Sequence, residues 1–331
     1  MAAASTPATA APLRELWRTE IPGDVANVYL ADPASNSLFA GDGWGVSYAA
    51  LRLHRLRLDS GEHLADVRTR HQGASALAIH QQLLYAATDS RLFELRPADL
   101  AIVRQWDRGL VRYSMQLVAE GSTIVSANWH KPTIGLFDLD SGRTRRVMTG
   151  LQPLVFRHGA DVKVLTGYDG GMWTLDIQHS RLTAFEKTPA IANLAVGQHI
   201  WATVAGHREG GQGEPAVWAK RGTNVITRLT GSSWAGRAGA RVARMYCDDR
   251  RGVLWCLVDG LPGMHLQAVS QSTGAVLRSY EPPRGPGVGF CYVDVAAGVA
   301  LHADAHHVTR GNVLVSSTSR VVCFALPDDL P

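Results

Sequence analysis

Residues 83–99, LLYAATDSRLFELRPAD, hold an apolar run, a short polar turn, a second apolar run and a closing turn built on Pro and Asp. In RLFEL (91–95), as in HRLRL (54–58) and GLFDL (135–139), apolar side chains recur with a period near two. That period places alternate side chains on one face, as a half-buried strand requires. Turns such as Asp59-Ser60-Gly61, Asp140-Ser141-Gly142 and Ser272-Thr273-Gly274 follow these strands. They supply the Asp and Gly chemistry of tight hairpins, so neighbouring strands are expected to run antiparallel.

The same unit recurs along the chain. VLVSSTSRVVCFALPDD (313–329) aligns with it as strand, turn and strand, and so do TIVSANWHKPTIGLFDLDSG (123–142) and VKVLTGYDGGMWTLD (162–176). LFAGDGWG precedes LHRLRLDSG in a first copy, and VLWCLVDGLPG precedes MHLQAVSQSTG in a sixth. The fifth copy is read as HIWATVAG and PAVWAK, separated by a Gly-rich loop. The residues before the closing turns are Leu58, Leu95, Leu139, Leu175, Ala219, Val269 and Leu326. Their spacings, roughly 36 to 57 residues, bracket the 40 to 50 expected of a four-stranded propeller blade.

The chain therefore reads as all-β, a seven-bladed β-propeller of four-stranded antiparallel blades, forming a single domain over 13–331. The last blade stops after a third strand near 320–326, while LRELWRTEI (13–21) precedes the first blade with no blade of its own. The N-terminal segment is expected to be the outer strand of the last blade, closing it and removing a free sheet edge. In this organisation the chain resembles the WD-repeat and related propeller families over nearly its whole length. The likeness is one of architecture: Gly206-His207 and Trp106-Asp107 are isolated, and no repeated Gly-His and Trp-Asp signature accompanies the blades.

Composition narrows the setting. The chain has 331 residues, 46% of them hydrophobic, enough for a sizeable core without covalent staples. Its 33 Lys and Arg stand against 29 Asp and Glu, a mixed surface with net charge +4, so nucleic acid is not an expected partner. Cys247, Cys256, Cys291 and Cys323 include no Cys-x-x-Cys pair and sit among apolar residues, as buried thiols in a reducing compartment do. No run is long enough to span a bilayer. Residues 1–12, rich in Ala, Thr and Pro, are expected to be a disordered leader without a secretory signal, although their composition also suits an organelle transit peptide. A cytoplasmic protein away from membranes is the reading that follows.

Function is less legible. With blade strands running inner to outer, the connections between second and third strands and between successive blades share one rim. That rim carries Arg70, His71, Arg112, Trp129, His130, Tyr168, His207, Arg208, Trp234, Arg237, Arg241 and Arg284. Aromatic and Arg side chains in such places favour protein interfaces. A non-catalytic scaffold binding a protein or peptide through this rim is the expected function. The alternative is an enzyme of lyase or lactonase type using His130, His207 and Glu209 as acid and base. No hydrolase elbow, phosphate loop or zinc-protease motif is present, so no cofactor and no catalytic residue is assigned. The metal-like run His302-x-Asp304-x-His306-His307 places alternate ligands on one strand face but reads equally as solvated loop, and no metal is assigned either.

Overall fold

The computed structural model describes residues 12–23, 28–41, 52–69, 73–89, 91–111, 114–128, 130–167, 170–204, 225–230, 234–237, 241–259, 263–283, 289–310 and 313–330. For 234–237, 307, 309 and 313–315 it describes the backbone alone. After β1 (Glu15–Pro22), the first sheet is β2 (Val28–Asp32), β3 (Ser37–Gly41), β4 (Arg52–Arg57) and β5 (His63–Arg68). The second is β6 (Ala76–His80), β7 (Leu83–Thr88), β8 (Arg91–Leu95) and β9 (Ile102–Trp106). The third is β10 (Gln116–Glu120), β11 (Thr123–Ala127), β12 (Thr133–Asp138) and β13 (Thr144–Met148). The fourth is β14 (Pro153–His158), β15 (Asp161–Thr166), β16 (Gly171–Asp176) and β17 (Arg181–Glu186). The fifth is β18 (Ile191–Val196), β19 (Ile200–Val204), β20 (Val225–Arg228) and β21 (Trp234–Arg237). The sixth is β22 (Val242–Asp248), β23 (Val253–Val258), β24 (His265–Ser270) and β25 (Val276–Tyr280). The seventh takes β26 (Phe290–Asp294), β27 (Val299–Arg310) and β28 (Val313–Ala325), with β1 completing the order β1-β28-β27-β26. Among the described residues these are seven four-stranded antiparallel sheets, the expected seven-bladed β-propeller.

Burial explains which strand sits where. The second strands β3, β11 and β23 are buried along their whole length, while the fourth strands β9, β13 and β17 are largely exposed. Two-sided burial suits the near-continuous apolar second strands, and the third strands β8 and β12 are buried over most of their length as well.

The chain divides into two compact units. In the unit of Trp17–Ala190 and Ala303–Val321, the first strands of successive sheets pack together, β2 on β6, β6 on β10 and β10 on β14. Apolar layers fill the spaces: Phe39, Leu53, Leu84 and Phe93 form one, Tyr85, Ile124 and Phe137 a second, Val125, Leu136, Val155 and Val164 a third. In the unit of Met1–Leu16, Ile191–His302 and Val322–Pro331, β18 packs on β22 and β23 on β26. Trp201, Ile226, Met245 and Leu254 form one layer there, and Trp255, Leu266, Phe290 and Phe324 another. Each fully buried Leu or Phe contributes about 1.5–3 kcal/mol.

The N-terminal strand takes the place expected of it. The Ala325 amide donates to the Arg14 carbonyl and the Gly23 amide to the Ser317 carbonyl, each at 2.9 Å. Ser319 Oγ adds a bond to the Gly23 carbonyl at 2.7 Å. From β1 the buried Trp17 indole reaches the Leu58 carbonyl at 2.7 Å. Its ring lies against Gly61, whose φ of +71° and lack of a Cβ both matter, since a Cβ there would run into the indole.

Three details of the sequence reading are corrected. Residues 313–329 are not strand, turn and strand: Thr318, Ser319 and Arg320 continue β28 without a break, because β1 runs beside them and gives their backbone groups partners. The strand before β28 is β27, which contains the His302 run. In the fifth sheet the third strand is β20, where the buried Ile226 and Thr227 face Thr203 and Ala202 of β19. PAVWAK (215–220) lies outside the described residues.

Removal of residues 1–11 is expected to leave urea-unfolding stability unchanged, whereas removal of 1–22 exposes the edge of β28 and should cause aggregation. Within the full chain, Trp17→Ala should cost about 3–5 kcal/mol. A soluble 23–331 chain with an unchanged unfolding midpoint would show that β1 is dispensable.

Candidate functional site

Residues at one end of the third and fourth sheets are drawn together by backbone geometry. Ser75, just before β6, donates its hydroxyl to the Ser114 carbonyl at 2.6 Å. Gln116 at the start of β10 accepts the Val155 amide of β14 through Oε1 at 2.8 Å. The starts of β6, β10 and β14 are thereby tied side by side. The Met115 amide donates to the Ala127 carbonyl, bringing the turn after β11 to the same end, and the Thr149 amide donates to the Pro132 carbonyl. In that turn, buried Asn128 accepts the His130 amide on Oδ1 at 2.7 Å, and its carbonyl accepts the Lys131 amide. This Asx geometry holds His130 and Lys131 outward, where both are exposed.

Two large apolar side chains at this end are about half exposed: Met115 and Leu151, each 46%. His130 is the rim residue from the sequence that the structure places here. Arg112 and Trp129 belong to the same two connections but lie outside the described residues, as do Arg70, His71, Tyr168, His207, Arg208 and Arg284. Trp234 and Arg237 are not in a connection: they form the ends of β21, an outer strand, because the third strand of the fifth sheet lies later in sequence than PAVWAK. Arg241 precedes β22 and forms a 2.7 Å ion pair with Asp259, both side chains more than a third exposed. Surface pairs of this kind contribute little stability. Met115 and Leu151 carry no motif, and their exposure follows only from the tertiary packing around them.

Other polar groups are structural. Glu94, almost wholly buried, receives the Arg104 fork at 3.0 and 2.7 Å and the Tyr85 hydroxyl at 3.1 Å. Burial first, and then Glu94, push the Tyr85 phenol up to about 12, so it stays a donor. Asp248 accepts Arg251 at 2.8 Å and the Trp255 indole at 3.2 Å. Burial raises the thiols of Cys247, Cys256 and Cys323 to about 12, which leaves them protonated and unsuited to nucleophilic chemistry. In the His302 run, β27 gives the strand that alternation requires; Asp304 is engaged by Arg320 at 2.7 Å, His302 is buried and His306 is exposed.

One cluster was not anticipated from the sequence. On β4 and β5, His54 Nδ1 stands 3.2 Å from His63 Nε2, and Asp66 Oδ2 stands 4.0 Å from the same His63 nitrogen. Asp66 also pairs with Arg52 through its other oxygen. Residues 63 and 66 would fall on opposite faces of a regular strand. A bulge corrects this: Arg55 faces Ala65 and Leu56 faces His63, so Leu64 is the extra residue, while His54 lies directly opposite Asp66. His54 is fully buried, and burial, then His63 and Arg52, depress its imidazole to about 4 while the Pro22 carbonyl acts in the opposite sense.

No protein-family model matches the chain, and no curated protein matches it. Solved structures do. The WD40 domain of Neurospora crassa Pan2 superimposes with a TM-score of 0.62 at 12% identity, covering 98% of each chain. The computationally designed Ika8 protein gives 0.60 at 12% identity, over 95% of this chain and 100% of its own. Kuenenia stuttgartiensis hydrazine synthase gives 0.60 at 14% identity, over 85% and 93%. At such identities the likeness is one of fold. The protein is a seven-bladed β-propeller of WD-repeat-like architecture, and none of its described residues forms a helix long and apolar enough to cross a membrane.

The depressed His54 imidazole has a signed consequence for stability. The unfolded chain takes up this proton near 6.5 and the folded chain only near 4. Stability is therefore whole above pH 6.5 and falls as pH drops through that window, by at most about 1.4 kcal/mol per unit. The groups facing His54 are His63 and Asp66 of β5 and Arg52 of β4. Urea unfolding in metal-free buffer between pH 6.5 and 5 should show the slope in the wild type and its loss in His54→Gln; equal slopes would contradict it.

Proposed function

We propose that the protein is a non-catalytic scaffold that holds a partner protein or peptide at the end of the third and fourth sheets. The observation that carries this reading is the pair of half-exposed apolar side chains, Met115 and Leu151, placed at one end by the tied starts of β10 and β14 and flanked by exposed His130 and Lys131. An apolar centre with a polar margin is the anatomy of a protein interface. Arg112 and Trp129, which lie outside the described residues, stay candidate contacts by their place in the sequence alone. The WD40 architecture of Pan2 supports it at the level of fold. We take residues 13–331 as one domain and place it in the cytoplasm, in keeping with four free thiols.

Substituting Met115→Asp together with Leu151→Asp tests the proposal; both side chains are nearly half exposed, and circular dichroism matching the wild type is the condition for accepting the variant. In quantitative affinity capture from the native source, the partners held by the wild type should be weakened by about tenfold or more in the double variant. Retention of every partner by the variant, or capture of none by the wild type, overturns the reading.

A further inference from the structure

We propose that His54, His63 and Asp66 form a binding site for a borderline-soft divalent transition-metal ion of the zinc class, on the two outer strands of the first sheet. The three candidate ligand atoms all lie within 4.8 Å of one another. The 3.2 Å between His54 Nδ1 and His63 Nε2 is the informative distance. Two nitrogens bound to Zn²⁺ at about 2.0–2.1 Å in a tetrahedral site stand about 3.3 Å apart. The imidazoles therefore already hold the separation the ion imposes. Asp66 Oδ2, at 4.0 Å from His63 and within 4.8 Å of the His54 ligand atom, needs an inward shift of roughly 0.5–1.5 Å to complete a two-His, one-carboxylate set.

A second, independent observation points the same way. The His54 side chain is fully buried, and its Nε2 finds no partner at hydrogen-bond geometry. The side-chain partner of the ring is the His63 imidazole at Nδ1, and the Pro22 carbonyl also bears on the ring. An ion on Nδ1 would replace the contact between two imidazoles with a stronger bond to each. The local backbone is shaped for convergence: the bulge at Leu64 turns His63 onto the face of His54 and Asp66. Bulges re-aim side chains in this way at functional places.

The chemistry of the set selects the ion. Two imidazoles and one carboxylate suit Zn²⁺ and its neighbours better than Ca²⁺ or Mg²⁺, which favour oxygen donors. His63 and Asp66 are 35% and 28% exposed, so the fourth position opens to solvent and a water can occupy it. Arg52 opposes the ion by charge. It also holds the far oxygen of Asp66 and leaves Oδ2 turned toward His63, as an outer partner of a ligand does. The site is separate from the proposed partner surface and does not depend on it.

Calorimetric titration of the chelator-stripped full chain with ZnCl₂ tests the site, with Co²⁺ absorption as the reporter of geometry. The wild type is expected to bind a single tight ion, and Co²⁺ to show the intense visible bands of four-coordination. His63→Ala and Asp66→Asn, at partly exposed positions on an outer strand, should each weaken affinity by about tenfold to a hundredfold. His130→Ala, on an exposed turn, should leave it unchanged. His54→Gln, accepted only if its circular dichroism matches the wild type, should abolish the Co²⁺ bands. Absence of a tight ion in the wild type, or equal affinities in the wild type, His63→Ala and Asp66→Asn, overturns the proposal.

Discussion

The pairing of β1 with β28 is the constraint on which the seventh sheet depends. Without it, β28 presents a row of unpaired amides and carbonyls along a strand with four Val residues. The pairing is made by chain ends more than 290 residues apart, as the bond from Ser319 Oγ to the Gly23 carbonyl shows. Such contacts add loop-closure entropy to the cost of folding, and they repay it only once the intervening sheets are formed. Trp17 makes the same strand serve a second purpose: its indole caps the Leu58 carbonyl and covers Gly61, fixing the turn between β4 and β5. The position of that turn sets where β5 begins, and with it the bulge that aims His63.

Several buried polar side chains are paired into small networks within their sheets. Glu94 carries a buried carboxylate because Arg104 meets it with two bonds while Tyr85 supplies a third. Arg104 itself lies 4.9 Å from the Trp106 ring centre, its stem covered and its charge partly in solvent. Asp248 follows the same logic with Arg251 and the Trp255 indole. These groups hold strands in register, and their chemistry is spent on that task. His54 differs, because its neighbours are a second imidazole and a carboxylate already shared with Arg52.

The proposed partner surface and the proposed metal site arise from the same fold by different routes. The first collects residues at the ends of strands, where connections escape the ladder and apolar side chains can be left open. The second collects residues inside a sheet, where register and a single inserted residue decide which side chains converge. Neither requires a sequence motif, and neither coincides with the solvated-looking His302 run, whose Asp304 is held by Arg320.

Residues 83–99 and their recurrences determined the architecture, because period-two alternation and Asp-Gly turns are local properties that force antiparallel hairpins. The spare N-terminal strand was likewise legible, since LRELWRTEI had no other sheet to join. The fifth sheet was misread at its third strand because PAVWAK and VITR both look like strands, and only pairing with β19 distinguishes them. The break proposed near Ser319 failed for the same reason: polar Thr318-Ser319-Arg320 resembles a turn until β1 lies beside it. His54, His63 and Asp66 were invisible as a group because a bulge changes the face of a side chain without changing its residue type. Local sequence determines strands and turns through backbone preference; which side chains meet is decided by register and packing, which exist only in the folded chain.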